Sequence, residues 1–236
     1  WLFTNHKIAP KENQHVIDSF FGFTEALGIE ERTLRWDIPI PESARQFATE
    51  TLPQERFMVI SPCSSMAYRN WTSAGYAAVA EHAITHYGLK VVLCGGNSRL
   101  ERLYGAEIHS RLDSQGCSSA LTNLIGRTNL KQLLAILERA EFLLSPDAGP
   151  AHLATAVGTP VIGLYACTNP DRARPYLSAA YTVNRYPEAV QAKYGKIPDQ
   201  LPWGTRVREA GTMERIQVED VTAVLDNLMS ATTPRG

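Results

Sequence analysis

Residues 142–165 constrain this chain more than any other stretch, because they press two strands and a helix together with almost no linker. Phe142, Leu143 and Leu144 form an apolar run, and Ser145 to Gly149 make a polar turn. A helix begins at once, Gly158 stops it, and Pro160 to Tyr165 read as a second strand. Strands joined through a helix run parallel in one sheet. Asp147, Gly149 and His152 therefore fall where the carboxyl edge of a sheet meets the amino end of a helix. Free backbone N–H groups and the helix dipole favour an anion at such a place.

The same rhythm holds from Phe57 onward. Phe57–Ile60 reads as a strand, and an alanine-rich helix follows from about Thr72 to His86, with Gly88 behind it. Strand Lys90–Cys94 leads into Gly95, Gly96, Asn97 and Ser98, then a helix from about Arg99 to Leu112. A short strand near Leu121–Ile125 precedes Asn129, which suits a helix N-cap, and a helix to about Arg139. Short apolar runs alternating with amphipathic helices predict an α/β class: a Rossmann-like, mainly parallel sheet with helices on both faces.

The ends are less regular. Val16, Ile17, Phe20, Phe21 and Phe23 recur at helical spacing up to Gly28, a C-cap residue type. Pro39, Pro41 and Pro53 bracket a polar segment, Ser43 to Thr51, that reads as a helical linker. Residues 171–212 are rich in proline and tyrosine and show little periodicity. A last helix, about Val218 to Met229, carries Val218, Val221, Val224, Leu225 and Leu228 on one face.

Composition narrows the function classes. A formal net charge of -1 argues against a broad nucleic-acid-binding face, so an anion must be held by a local site. Cys63, Cys94, Cys117 and Cys167 show no C-x-x-C spacing, which disfavours a zinc site and a disulfide framework and fits a reducing cytoplasm. No run of about 18 apolar residues is present to span a membrane, and no signal peptide is evident. The chain opens on Trp1 rather than Met, which leaves a processed chain or a fragment open.

In an open parallel sheet, ligands gather beyond the carboxyl ends of the strands. Four polar turns leave those ends: Ser61–Asn70, Gly95–Ser98, Gly126–Asn129 and Pro146–His152. In the first, Ser64, Ser65 and Arg69 offer hydroxyls and one cation that suit a phosphate, although a lone loop arginine is more often simply solvated. Trp71 reads as a packing anchor. Ser98 can cap the following helix, and Glu101 can meet a ribose hydroxyl or favour the helix dipole. Asp147 has two readings, a helix N-cap worth about 1 kcal/mol or an acceptor for sugar hydroxyls. His152 can donate to a phosphate or pack in the core. The patterns G-x-G-x-x-G, G-x-x-x-x-G-K-[ST] and G-x-S-x-G are absent, and no Ser/His/Asp or Cys/His nucleophile set is discernible.

These turns, in this order, resemble the C-terminal half of the lipopolysaccharide heptosyltransferases, ADP-heptose-dependent glycosyltransferases of GT-B architecture. The likeness is carried by Ser64, Ser65, Arg69 and Trp71, by Leu93–Gly96, by Gly126–Leu130, by Thr168–Pro170, and above all by Asp147–Pro160. It implies that Ser64, Ser65 and Arg69 hold the diphosphate of a nucleotide-sugar, with Gly149 and His152 as further donors. Ser98 or Glu101 would meet the ribose, Gly126 to Thr128 would border the adenine, and Asp147 would bind sugar hydroxyls. Ala148 stands where a threonine is usual, Arg69 where a lysine is common, and Ala166-Cys167-Thr168 where Gly-Pro-Thr is familiar. These departures leave the identity of the sugar open.

The resemblance further implies transfer of heptose from ADP-heptose to an inner-core lipopolysaccharide acceptor with inversion, without cofactor or metal. It implies a cytoplasmic protein, compatible with peripheral association at the inner face of the inner membrane. Residues 1–54 then read as the end of an N-terminal domain plus a linker, and 55–236 as the nucleotide-sugar-binding domain with its C-terminal helix. The catalytic carboxylate base and the acceptor site would belong to the preceding domain, so no catalytic residue is nominated here. Two rivals stay open: a transferase for another nucleotide-sugar, and a non-catalytic module that binds a phosphorylated ligand or, through the Phe-rich helix, a partner protein.

Overall fold

A strand buried on both faces is apolar at every position, and its alternate side chains feed two separate cores. A computed structural model of the chain, which describes residues 7–9 and 11–231, has this construction. Residues 1–6 and 10 of the expected leading segment, and 232–236 of the expected domain, lie outside the described residues. Helices α1 (Val16–Ala26) and α2 (Glu42–Thr51) come first. Then β1 (Phe57–Ile60), α3 (Ser73–Tyr87), β2 (Lys90–Leu93), α4 (Arg99–Ser114), β3 (Leu121–Asn123) and α5 (Leu130–Arg139) alternate. The alternation continues through β4 (Leu143–Pro146), α6 (Gly149–Ala156) and β5 (Val161–Tyr165). Short α7 (Pro170–Ala173), β6 (Thr182–Asn184), α8 (Tyr186–Tyr194) and α9 (Val218–Ala231) complete the chain.

The sheet has six parallel strands in the order β3-β2-β1-β4-β5-β6. Met58, Ile60, Val91, Leu93, Leu144 and Ile162 face one core, shared with α3, α4 and α9. Phe57, Val59, Val92, Cys94, Leu143 and Val161 face the other, shared with α2, α5 and α6. The segment read as a linker is helical, as expected, and α2 is seated on α5 with Ala44 and Ala48 buried. Trp71 is buried, and its Nε1–H donates to the carbonyl of Ile216 at 3.0 Å, so it is the packing anchor its sequence context suggested.

Local signals explain the helix ends. Ser98 with Glu101 and Asn129 with Gln132 close reciprocal capping boxes at α4 and α5. Gly28 follows α1 with φ +80°, its N–H bonded to the carbonyl of Glu25 and that of Ile29 to Thr24. This is the Schellman pattern, which strongly favours glycine.

Two elements in residues 171–212, where little periodicity was evident, are regular: β6 and α8. β6 is only three residues long with Val183 alone buried, too short for an alternating pattern to register. Helix α1 forms as its spacing predicts, yet none of its residues is buried; Phe20 and Phe23 are 61% and 62% exposed. It is held at its start instead. His15 Nδ1 accepts from the N–H of Ile17, which leaves Nε2–H to donate to the carbonyl of Arg174 at 2.9 Å. Tyr176 donates to Asp18 at 2.8 Å, and Trp203 Nε1–H to the carbonyl of Gln14 at 2.8 Å.

Candidate functional site

The chain runs from β1 toward β2 on one side and from β4 toward β5 on the other, so the order reverses between β1 and β4. Their carboxyl ends diverge there and leave a crevice, the usual ligand site of open parallel sheets. The cleft at this point has a volume of about 1020 Å³, at the upper end of small-molecule sites. Ser64, Ser65, Arg69, Ser98, Glu101, Thr128, Asp147, Ala148, Gly149 and His152 all line it. The convergence inferred from four separate turns is real.

At its centre Arg69, after β1, meets Asp147, after β4. One guanidinium nitrogen lies 3.1 Å from Asp147 Oδ2 and 3.3 Å from the Asp147 carbonyl. Thr168, beyond β5, donates to the same Oδ2 at 3.0 Å. Both side chains of the pair are largely withdrawn from water, 15% and 13% exposed, so removing either would strand a poorly solvated charge. Arg69 Nε is buried without a partner among the described residues, although its guanidinium also lies 5.6 Å from the Tyr68 ring centre.

The N-cap reading of Asp147 is not what the structure shows. Ala148 is the N-cap of α6 and its methyl side chain can accept no hydrogen bond, while the Asp147 carboxylate is turned to Arg69 and Thr168. The first turn of α6 therefore receives no side-chain acceptor, and a Cβ on Gly149 would meet nothing within 4 Å. Pro150 has no N–H and that of Ala151 bonds to the Ala148 carbonyl at 3.1 Å, so the Gly149 N–H is left with open room beside it. His152 lies one turn on, accessible to water within the cleft wall. Crowding by protein lowers its imidazole pKa against an opposing pull from Asp147. The ring is neutral at pH 7, with one N–H to donate.

On the opposite wall Glu101 has both oxygens engaged. It accepts from the Gly96 N–H at 2.6 Å, the Ser98 N–H at 3.1 Å and the Ser98 hydroxyl at 2.6 Å. Ser98 and Glu101 thus serve the helix cap while still lining the cleft. A Cβ on Gly96 would stand 2.9 Å from Glu101, so only glycine lets that turn wrap the carboxylate. Gly126 does not line the cleft. Its φ of +73° and its N–H bond to the Gly95 carbonyl tie two turns together, and a Cβ there would strike Asn97 at 2.8 Å. It shapes the wall from behind.

Sequence reading missed the apolar part of the site. Leu100 and Leu130, the latter 69% exposed, line the cleft at the starts of α4 and α5. The available signal was a leucine in the first turn of each helix, outside its buried stripe. Thr168, which steadies the Asp147 carboxylate, was noted only as part of a motif. Cys63 also lines the cleft, but burial pushes its thiol pKa up to about 12, so it offers no thiolate. The cleft lining holds one arginine, Arg69, against two carboxylates, Asp147 and Glu101, so an anion would depend on backbone and hydroxyl donors as well as on the cation. Among the described residues no three His, Cys, Asp or Glu side chains are grouped to hold a metal.

Residues 1–200 match the model of glycosyltransferase family 9 (heptosyltransferase). The chain is 39% identical over 229 residues to the lipopolysaccharide core heptosyltransferase OpsX of Haemophilus influenzae, covering 97% of this chain and 64% of that protein. Among solved structures, the glycosyl transferase family 9 protein of Veillonella parvula superposes with a TM-score of 0.69 at 20% identity, over 96% of this chain and 63% of that one. A heptosyltransferase of Escherichia coli solved with ADP gives 0.64 at 16% identity, over 96% and 61%. The chain thus spans less than two thirds of the length of each of these relatives. By the family match and the identity together, this chain belongs to glycosyltransferase family 9, the heptosyltransferases.

Proposed function

We propose that this chain is the donor-binding part of a glycosyltransferase that moves heptose from ADP-heptose to an inner-core lipopolysaccharide acceptor, with inversion. The observation that carries the reading is the convergence of Arg69, Asp147, Gly149 and His152 in one cleft at the switch point of the sheet. In this reading 55–236 is the nucleotide-sugar domain, and 1–54 closes a preceding domain and links to it. The protein works in the cytoplasm, associated peripherally with the inner face of the inner membrane; no helix among the described residues is long and apolar enough to cross a membrane.

The diphosphate sits against the first turn of α6, with Arg69, Ser64, Ser65 and the His152 N–H around it. These donors stabilise the charge that grows on the departing diphosphate. The ribose lies by Ser98 and Glu101, and the adenine lies by Thr128, with Leu100 and Leu130 as apolar walls. Asp147 accepts from sugar hydroxyls. Its carboxylate would repel the diphosphate if it faced that way, and its bonds to Arg69 and Thr168 hold it aside. A carboxylate on the preceding domain takes the acceptor proton as the acceptor oxygen attacks the anomeric carbon and ADP leaves.

Calorimetry with ADP, UDP and GDP tests this reading. ADP binds tightest, and Arg69→Ala weakens it about tenfold or more, the scale of one charge-assisted contact. Equal affinity for the three nucleotides, or an Arg69→Ala variant that binds ADP like the parent chain, overturns the assignment. A preference for UDP or GDP would identify the other nucleotide-sugar class instead.

A further inference from the structure

The turn that leaves β1 brings Ser64, Ser65 and Arg69 to the cleft, and a residue outside the cleft fastens its two ends. Asn70 is absent from the cleft lining and borders a separate recess behind the turn, with Tyr68, Trp71 and Glu214. The N–H of Ser64 donates to Asn70 Oδ1 at 2.7 Å. The other bonds within the turn are local. Met66 N–H donates to the Ser64 hydroxyl oxygen at 3.3 Å, Arg69 N–H to the Met66 carbonyl at 2.9 Å and Asn70 N–H to the Ala67 carbonyl at 3.0 Å. Among the described residues, only the Asn70 carboxamide joins the start of the turn to its end.

The end of the turn is firmly seated. Trp71, next to Asn70, is buried with its indole bonded to Ile216, and its carbonyl accepts from the Tyr104 hydroxyl at 2.8 Å. The Tyr68 carbonyl accepts from the Cys167 thiol at 3.0 Å. At the start, the sheet holds the chain as far as Ser61, whose N–H bonds to the Leu144 carbonyl at 3.0 Å. Asn70 carries the anchorage of Trp71 back to Ser64, beyond the reach of the sheet. The same bond sorts the groups of Ser64: its N–H is committed, while Met66 occupies one lone pair of the hydroxyl and leaves the O–H free to donate. Asn70 Nδ2 is buried without a partner among the described residues, an unmatched donor that offsets much of what the bond contributes to stability.

We propose that Asn70 is a positioning residue for donor binding: it holds the turn so that the Ser64 hydroxyl and the Arg69 guanidinium meet the diphosphate together. The proposal rests on the donor-site reading. Because Asn70 lies outside the cleft, its effect passes through Ser64 and Arg69 and falls on the diphosphate alone. Ser98, Glu101 and Thr128, which line the nucleoside part of the cleft, make no contact with it. A turn closed before the ligand arrives avoids the ordering that an open one would undergo on binding.

The test titrates the 1–236 chain with ADP by calorimetry and with adenosine by NMR. Asn70→Ala should weaken ADP about fivefold, the scale of one hydrogen bond, and leave adenosine within about twofold of the parent chain. Asn70→Ser, whose hydroxyl ends one bond short of Oδ1, should behave alike and stands in if Asn70→Ala does not fold. A role confined to holding the domain together would weaken both ligands equally. ADP affinity equal to the parent's, a loss that adenosine shares, or unfolding of both variants overturns the proposal. A parent chain that binds ADP no better than adenosine would instead defeat the donor-site reading, and this proposal with it.

Discussion

Arg69 and Asp147 clasp each other across the switch point of the sheet, although 78 residues separate them in the chain. The arginine touches both the carboxylate, at 3.1 Å, and the main-chain carbonyl, at 3.3 Å. The cation intended for the phosphates is thus already shared with the group intended for the sugar. Such coupling gives opposite expectations for the two halves of a nucleotide-sugar.

Asp147→Asn removes a negative charge from the cleft and frees Arg69 for the phosphates. ADP should bind about threefold tighter, a modest gain because Arg69 keeps its bond to the main-chain carbonyl of residue 147. ADP-heptose should not share that gain, because the amide is a poorer acceptor for sugar hydroxyls. Thr168→Val, which removes one hydrogen bond to the carboxylate, should narrow the preference for ADP-heptose over ADP in the same direction but by less. Calorimetry on both ligands checks this; a uniform change for ADP and ADP-heptose would separate Asp147 from sugar recognition.

Stability should depend on two histidines near neutral pH. Burial lowers the pKa of His15 from its ordinary value of 6.5 despite its bond to Arg174, and crowding lowers that of His152. The unfolded chain therefore takes up protons on these rings before the folded chain does. The stability from neutral rings is whole above about pH 6.5 and is lost as pH falls through that value toward the folded pKa values. His15→Asn should flatten part of the fall in Tm between about pH 7 and 5, measured by circular dichroism. A pH slope unchanged in both His15→Asn and His152→Asn would refute the assignment.

The contact of Gly75 with Trp71 sets a steric limit in the first turn of α3. A Cβ at Gly75 would lie 2.4 Å from the Trp71 ring, which is buried and bonded to Ile216. Gly75→Ala should therefore destabilise the domain by about 2 kcal/mol, overpacking outweighing the gain of about 1 kcal/mol in helix propensity. Urea denaturation measures it, and a neutral or stabilising outcome would mean that the ring can shift freely.

Much of this molecule was legible before any coordinates. From Phe57 to Tyr165 the alternation of apolar runs and helices prescribes βα units, because a strand buried on both faces and a helix buried on one leave different patterns. Ser98 with Glu101, Asn129, Gly88 and Gly28 mark helix ends through their own local chemistry. β6 was hidden because one buried valine in three residues has no period, and α8 because it buries only Tyr186, Ala189 and Val190. The Leu100 and Leu130 walls were hidden because a leucine's exposure depends on what lies across from it.

By itself the sequence determined which segments are strands, which turns are polar, and that those turns leave the same edge. Tertiary structure alone decided that β4 lies beside β1, which brings Asp147 to Arg69 rather than to the amides of α6. It also decided that Gly126 stands behind the wall. The reason is physical: helix caps and strand periods are set by neighbours within a few residues. Strand order and charge pairing are set by which distant segments bury their apolar faces together.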